Sequence, residues 1–254
     1  MIEQWTVNLD RAGHANTPMC VRLYVKEGTA PLPVVLFSHD SSLHPEHYDR
    51  ILIPWARAGY MVIAPTYLDH NIQDCDPKLQ WLSRLDDSMQ ALSFLENADR
   101  ADLSKIVAAG HGSGAFIAHA LAGAISYDME GEVVQARDPR VQAIISLCPM
   151  AEQTGFIDAS SWADITIPIF THTTGDTSLV NSYENSPDSL ASHRNASSSC
   201  KDLIILDGVE QALMNDSDTM SASDNEGMSA IDSLNRYVVD FLNKSVQSYK
   251  RRNG

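Results

Sequence analysis

A glycine-rich stretch at residues 110–114, Gly-His-Gly-Ser-Gly, carries a hydroxyl and an imidazole within one short turn. Nucleophilic acyl transfer uses a hydroxyl, an imidazole that takes its proton and a carboxylate that orients the imidazole. Ser113 supplies the hydroxyl of this turn and is a candidate nucleophile. His111 precedes the central glycine, Gly112, and we interpret its imidazole as a packed, hydrogen-bonded side chain.

Further histidines and carboxylates follow two apolar runs, on the side of an open α/β sheet where ligands bind. They raise the alternative of a metal or acid–base site, because His44 and His47 have a spacing that one helical turn aligns. Pro45, however, makes His44 a pre-helix residue. We therefore interpret these residues as loop residues and a solvated helix start, and we predict no metal ion and no cofactor. The group comprises His39, His44, His47, Asp69, His70, Asp74 and Asp76.

The four cysteines, Cys20, Cys75, Cys148 and Cys200, lie far apart and form no C-x-x-C pair. This spacing argues against a zinc or dithiol site and favours free thiols in a reducing compartment. Cys148 ends an apolar run. A nucleophilic thiol is one interpretation of that position, and a buried structural cysteine is the favoured one.

Apolar runs alternate along the chain with segments of helical periodicity, a pattern typical of a doubly wound, mostly parallel α/β sheet. Continuous apolarity in the runs indicates that helices cover both faces of the sheet. The predicted core strands are Val34–Ser38, Met61–Ala64, Ile106–Ala109, Val141–Leu147, Ile167–Thr171 and Leu203–Leu206. The predicted helices are Pro45–Ala58, Pro77–Ala98, Gly114–Ala122 and Asn225–Gln247. Trp5–Leu9 and Cys20–Lys26 are predicted to form an antiparallel hairpin at the sheet edge.

Composition sets limits on function. A hydrophobic content of 44% over 254 residues is sufficient for a single domain spanning 1–254. The formal net charge of −15 opposes binding to nucleic acid or to an anionic membrane. We find no signal-peptide pattern and no apolar run of transmembrane length, so we expect a cytoplasmic protein. Ser178–Ser199 and Asn215–Asn225 are predicted to be the least structured segments.

Five stretches, in order along the chain, resemble elements of one fold family. From about Val34 onward the chain is similar to the α/β-hydrolase superfamily, in its dienelactone-hydrolase, acetylhydrolase and polyester-hydrolase-like branch. The resemblance implies a single-domain α/β-hydrolase fold with short cap-like segments at about 149–166 and 177–200. The five stretches are Val34–Asp40, Ala58–Pro65, Asp102–Phe116, Asp138–Pro149 and Ile167–Asp176.

The resemblance implies a catalytic triad with two members replaced. In this family the nucleophilic serine lies between the glycines of a G-x-S-x-G turn. Gly110 and Gly114 match those glycines, and Gly112 stands at the nucleophile position. Gln211 stands where the family has its histidine, and an amide has no titratable nitrogen near neutral pH. Asp176, in Gly-Asp-Thr, matches the acid.

The oxyanion hole, as implied by the resemblance, is altered as well. His39-Asp40 replaces the family's His-Gly and adds a carboxylate where negative charge should be stabilised. The amide of Ser113 is expected at the hole, with its side chain directed towards the helix. Trp162 follows a Ser-Pro-like strand end, where related hydrolases often place a substrate-contacting aromatic. The predicted cleft residues are His39, Asp40, Ser41, His111, Ser113 and Trp162.

Three functional hypotheses follow. The first is a non-hydrolytic descendant: a pseudoenzyme, a small-molecule binder or a non-covalent lyase or cyclase. The second is an esterase for small carboxylic esters, acting through Ser113 or through a serine at position 112 that has been exchanged for glycine. The third is a partner-binding scaffold.

Overall fold

The computed structural model describes residues 1–11, 17–41, 43–67, 77–153, 155–175, 190–214 and 222–247. Ten strands form in these residues: β1 (Ile2–Leu9), β2 (Met19–Lys26), β3 (Leu32–Ser38), β4 (Met61–Pro65), β5 (Ala101–His111), β6 (Ile125–Tyr127), β7 (Val133–Gln135), β8 (Val141–Leu147), β9 (Ile169–Thr173) and β10 (Lys201–Ile205). The helices are α1 (Asp49–Arg57), α2 (Pro77–Phe94), α3 (Ser113–Ala122), α4 (Ala191–Asn195), α5 (Val209–Met214) and α6 (Ala222–Leu242).

Eight of the strands make one sheet in the order β1-β2-β4-β3-β5-β8-β9-β10. The ladders from β4 through β3, β5, β8 and β9 to β10 are all parallel, whereas β1 pairs antiparallel with β2, and β2 with β4. The predicted fold class, a mostly parallel doubly wound sheet with an antiparallel N-terminal hairpin, is confirmed.

Both faces of the central strands are buried, as the apolar runs predict, whereas the edge strand β10, predicted as a strand of the buried core, leaves Leu203 and Ile205 exposed. Successive residues of a strand point to opposite faces. Val34 and Leu36 pack into a core layer with Trp81 of α2, and Phe116 of α3 belongs to the same layer. Alternate strand residues, such as Val35 and Phe37, pack into a second layer with Trp55 of α1 and Leu234 of α6. This double cover holds the carboxyl ends of β3 and β5 in fixed positions beside each other.

The structure shows helices in part of each segment predicted to be least structured, while residues 178–189 and 215–221 of those segments lie outside the described residues. Residues 191–195, inside the first segment, form α4, in which Ala191 and Ser192 are buried. Helix α6 begins at Ala222, within the second such segment. These helices carry many small polar residues, so local composition underestimates the order that packing provides. The short β6–β7 hairpin was not predicted.

None of the helices in the described part of the chain combines the length and the apolarity that a membrane crossing requires.

His119, in α3, lies fully inside the core. Burial lowers the pKa of its imidazole to about 3. Among the described residues no hydrogen-bond partner faces its Nε2. The folded protein therefore holds His119 neutral under conditions where an unfolded chain would protonate it.

The unfolding free energy should consequently fall as the pH drops below about 6.5, the ordinary histidine pKa. In that window the unfolded state binds a proton that the folded state excludes, which costs about 1.4 kcal/mol per pH unit. A His119→Leu variant lacks this contribution, so its stability relative to the wild type should increase as the pH falls. Urea unfolding at a series of pH values measures the difference; a difference independent of pH would contradict the prediction.

Candidate active site

The turn between β5 and α3 reverses the chain within a single residue. Gly112 caps the N-terminus of α3 with φ +55° and ψ −121°, a backbone conformation that glycine adopts most readily. Its amide donates a hydrogen bond to the Leu147 carbonyl of β8 at 3.0 Å. The structure thus places Gly112, rather than Ser113, at the tip of the turn.

The flanking glycines are required by backbone packing. A Cβ atom at Gly110 would overlap the Gly114 carbonyl oxygen and lie 2.7 Å from the Ala115 nitrogen. A Cβ atom at Gly114 would overlap the Ser38 carbonyl oxygen and lie 2.7 Å from that of His39. The glycine pattern therefore reports how tightly α3 packs on β5 and β3, whether or not a nucleophile is present.

The carboxylate of Asp40 fills the space directly in front of Gly112. A Cβ atom at Gly112 would overlap Asp40 Oδ1 and lie 2.7 Å from its Cγ. The same Oδ1 accepts hydrogen bonds from the backbone amide of Ser113, at 2.8 Å, and from its hydroxyl, at 3.0 Å. Asp40 therefore occupies the volume in which a side chain at position 112 would begin, and it engages the first amide of α3.

Asp40 is also held through its backbone. Its amide donates to the Tyr48 hydroxyl at 3.2 Å, and its carbonyl lies 2.8 Å from His39 Nδ1. His39 is fully buried, and its Nε2 accepts the Tyr67 amide at 3.4 Å. Because Nε2 is an acceptor, the ring hydrogen lies on Nδ1 and is donated to Asp40. His39 therefore positions Asp40, with both ring nitrogens engaged.

Ser113 lies within a network of polar groups. Its Oγ accepts the Ser41 amide at 3.0 Å and Arg84 Nη1 at 3.3 Å, while donating to Asp40. No imidazole of the described residues is hydrogen-bonded to this hydroxyl. The Ser113 hydroxyl, which also accepts the Ser41 amide, is therefore fully engaged within the protein.

Positively polarised groups lie around the residues that hold Asp40. The N-terminus of α3 presents partial positive charge to Asp40. The buried guanidinium of Arg84 also donates to the His39 carbonyl at 2.8 Å and lies 4.6 Å above the Tyr67 ring. Burial raises the pKa of Tyr67 to about 12, so its hydroxyl stays protonated and donates to Ser38 Oγ at 2.6 Å. The Ser113 amide, at the N-terminus of α3, therefore already faces the Asp40 carboxylate.

Two predicted cleft residues are placed in the interior. His111 is buried, with Nδ1 2.8 Å from the Tyr48 hydroxyl. Trp162 is fully buried and belongs to the same core layer as Phe116 and Phe156. It packs as a core side chain in this structure, because the segment after β8 folds its apolar residues inwards instead of presenting them to a ligand.

The Asp207 carboxylate joins the two segments that lead to the predicted acid and histidine positions. Asp176 lies outside the described residues, directly after Gly175. Gln211 lies in α5, the helix that follows β10. The Asp207 carboxylate joins the loops after β9 and β10, because its Oδ1 accepts the Thr174 hydroxyl at 2.6 Å and the Gly175 amide at 2.7 Å. The segment leading to Asp176 is thereby tied to the segment leading to Gln211.

Arg84, Tyr67 and Asp207 were not identified from the sequence. Arg84 lies inside α2 and Tyr67 just beyond β4, and no short motif marks either residue. The Gly-Asp-Thr pattern predicts Asp176 as the acid, and no pattern marks Asp207. Their contacts join distant segments, which only the folded chain brings together.

The described residues contain no group of three or more His, Cys, Asp or Glu side chains placed to hold a metal ion. His44 and His47 stack with ring centroids 6.5 Å apart, and His47 Nδ1 accepts the His44 amide at 3.2 Å. The remaining members of the group considered for a metal site, Asp69, His70, Asp74 and Asp76, lie outside the described residues.

The sequence matches a known protein family over more than half of its length. The sequence profile of the chlorophyllase family matches residues 2–153. No curated protein matches the chain significantly.

Solved structures match over almost the whole chain. A ferulic acid esterase from Streptomyces cinnamoneus is 14% identical, with a TM-score of 0.68 over 97% of this chain and 90% of that chain. The dienelactone hydrolase from Anabaena variabilis is 15% identical, with a TM-score of 0.61 over 96% and 99%. A cold-adapted esterase from an Arctic intertidal metagenomic library is 14% identical, with a TM-score of 0.63 over 96% and 94%. These similarities confirm the predicted α/β-hydrolase fold.

Proposed function

This chain belongs to the chlorophyllase family, in the dienelactone-hydrolase-like branch of the α/β-hydrolases, and we propose that it is a non-hydrolytic member whose cleft binds a small molecule. One observation carries the proposal: the Asp40 carboxylate takes the space of a nucleophile side chain at position 112 and the amide of Ser113. Acyl transfer requires room for the nucleophile side chain and an amide that is available to bind the oxyanion.

The electrostatic consequence is large. In acyl transfer a carbonyl oxygen becomes negatively charged and is stabilised by amides that point at it. Here the Ser113 amide already donates to a carboxylate, and an oxyanion would have to approach that negative charge. Loss of one oxyanion-hole donor alone costs about 10²–10³ in turnover.

The residues at the family's triad positions act in the same direction. Gly112 provides no hydroxyl, and we propose that Gln211 takes the place of the histidine. Loss of the serine or the histidine of a triad costs about 10⁶ in turnover, and loss of the second adds little, because the groups act as a unit. The combined changes thus fit a chain that no longer depends on hydrolysis.

An esterase that uses Ser113 is the alternative that the test must exclude. Its hydroxyl donates to Asp40 and accepts from Ser41 and Arg84, so it would have to leave three partners in order to attack a carbonyl. A general base would also have to reach it.

A fluorophosphonate probe and short-chain nitrophenyl esters test the absence of hydrolysis. We expect neither labelling nor turnover by the wild type. Ser113→Ala, with Ser160→Ala at an exposed loop as its matched control, identifies the source of any signal. Labelling that disappears in Ser113→Ala alone would contradict the proposal and support the esterase.

Thermal unfolding with methyl ferulate tests the retained cleft, since a ferulic acid esterase shares this fold. A ligand at about 100 times its Kd stabilises a protein by about 2.7 kcal/mol, which raises the Tm by several degrees. We expect such a rise without consumption of the ester. Hydrolysis of the ester would contradict the proposal, and an unchanged Tm would argue against this class of ligand.

A further inference from the structure

Cys148 and His172 form a thiol–imidazole pair at the carboxyl end of the sheet. Cys148 follows β8, and His172 lies in β9, in register with Leu147. The Cys148 Sγ is 3.5 Å from His172 Nδ1, and the Cys148 amide donates to the His172 carbonyl at 2.8 Å. The two side chains are therefore brought together by the pairing of two central strands.

The second ring nitrogen fixes the direction of the hydrogen bond. His172 Nε2 is 3.1 Å from the Leu206 carbonyl oxygen, which can only accept. Nε2 must therefore carry a hydrogen, and in the neutral ring Nδ1 presents its lone pair to the thiol. An imidazole that accepts from a nucleophile while a third group orients it is the arrangement that activates cysteine and serine nucleophiles.

The backbone at Cys148 is strained. Its φ is +41°, and it is the one non-glycine residue with positive φ in the described part of the chain. Such a conformation costs about 1–3 kcal/mol and persists where the surrounding structure imposes it, often at functional sites. Leu147, the preceding residue, accepts the Gly112 amide, which sets the end of β8 beside the elbow. Cys148 is 7% exposed, so only a small reagent can reach it.

We propose that Cys148 is a reactive thiol, activated by His172, that forms covalent adducts with small soft electrophiles. His172 Nδ1 takes the thiol proton while Nε2 keeps its hydrogen bond to Leu206. With a haloacetamide, the Sγ–carbon bond forms as the carbon–halogen bond breaks, and the halide leaves with the bonding electrons. With an α,β-unsaturated carbonyl, Sγ adds to the β-carbon and the proton held by His172 passes to the α-carbon. This chemistry uses neither Gly112 nor the Ser113 hydroxyl and does not rest on the proposed function.

Competition between thiols of the same chain tests the proposal. Exposure alone predicts that Cys200, which is exposed, reacts faster than Cys148, which is buried. Folded full-length protein is treated with substoichiometric iodoacetamide, and each site is quantified by peptide mass spectrometry. We expect Cys148 to react about tenfold faster than Cys200, since conversion of an ordinary thiol to thiolate at neutral pH gives a gain of this order.

Two comparisons isolate the cause. In urea-unfolded protein the ratio of the two rates should fall to near one. In His172→Gln the Cys148 rate should fall below that of Cys200, while the Cys200 rate stays unchanged. Slower reaction of Cys148 than of Cys200 in the folded wild type would overturn the proposal, even if the variant failed to fold. An unchanged high ratio in a folded His172→Gln protein would overturn the role of His172.

Discussion

Combining Gly112→Ser, Gln211→His and Asp40→Gly is expected to create ester hydrolysis, whereas Gly112→Ser with Gln211→His alone should remain almost inactive. A serine side chain at position 112 would meet the Asp40 carboxylate, and the Ser113 amide would still donate to that carboxylate. Asp40→Gly places a glycine after His39, as the family resemblance implies. It frees both the space at position 112 and the Ser113 amide. The step from double to triple variant should raise turnover by about 10²–10³, the value of one oxyanion-hole donor.

Turnover of short-chain nitrophenyl esters and fluorophosphonate labelling at position 112 measure this gain. Ser113→Ala in the triple-variant background separates the new hydroxyl from the old one and should leave labelling intact. Equal activity of the double and triple variants would contradict the blocking role of Asp40. Inactivity of a folded triple variant would instead weaken the assignment of Asp176 as the acid.

The largest expected loss of stability comes from a buried ion pair that joins the N-terminal segment to α2. Arg11, two residues beyond β1, and Asp87, in α2, are joined at 2.7 Å, with side chains only 4% and 2% exposed. Arg11 also donates to the carbonyls of Thr17, at 3.1 Å, and Thr66, at 2.9 Å. Asp87→Ala would leave a buried guanidinium without its carboxylate, and we expect it to lower the unfolding free energy by about 3–5 kcal/mol.

Urea denaturation of Asp87→Ala measures this loss. Asp240→Ala, which breaks the exposed pair with Lys244, serves as the control and should have a far smaller effect. Replacing both partners, as in Arg11→Met with Asp87→Leu, should recover most of the stability, because no buried charge remains. Similar losses in Asp87→Ala and Asp240→Ala would contradict the importance of burial for this pair.

The sheet and the elbow could be predicted from the sequence because their signals are local. The apolar run Val141–Leu147 was predicted as a strand with the bounds observed. Gly110 and Gly114 were predicted as the outer glycines of the elbow, and the close packing of α3 leaves no room for a Cβ atom at either position. The placement of Gly112 at the tip of the turn agrees with the register that the family resemblance implies. For Asp40, the family resemblance predicts a carboxylate at the oxyanion hole.

The contacts of Asp40 could not be predicted, because they join residues 73 positions apart in the sequence. The burial of Trp162 could not be predicted either. An aromatic residue after a strand end can face a ligand or the core. In so short a segment, hydrophobic periodicity does not distinguish these two orientations. The Cys148–His172 pair depends on the register between β8 and β9, which the separate strand sequences do not specify.

A double-mutant cycle of unfolding free energies between Gly112→Ala and Asp40→Gly tests most directly whether Asp40 occupies the nucleophile's place. With Asp40 present, a methyl group at position 112 must displace its carboxylate in addition to tolerating the positive φ. With glycine at position 40, only the backbone cost remains. We expect a coupling of about 1–3 kcal/mol, the usual cost of overpacking. Additivity of the two substitutions to within about 0.5 kcal/mol would show that Asp40 does not fill this space and would contradict the blocked site.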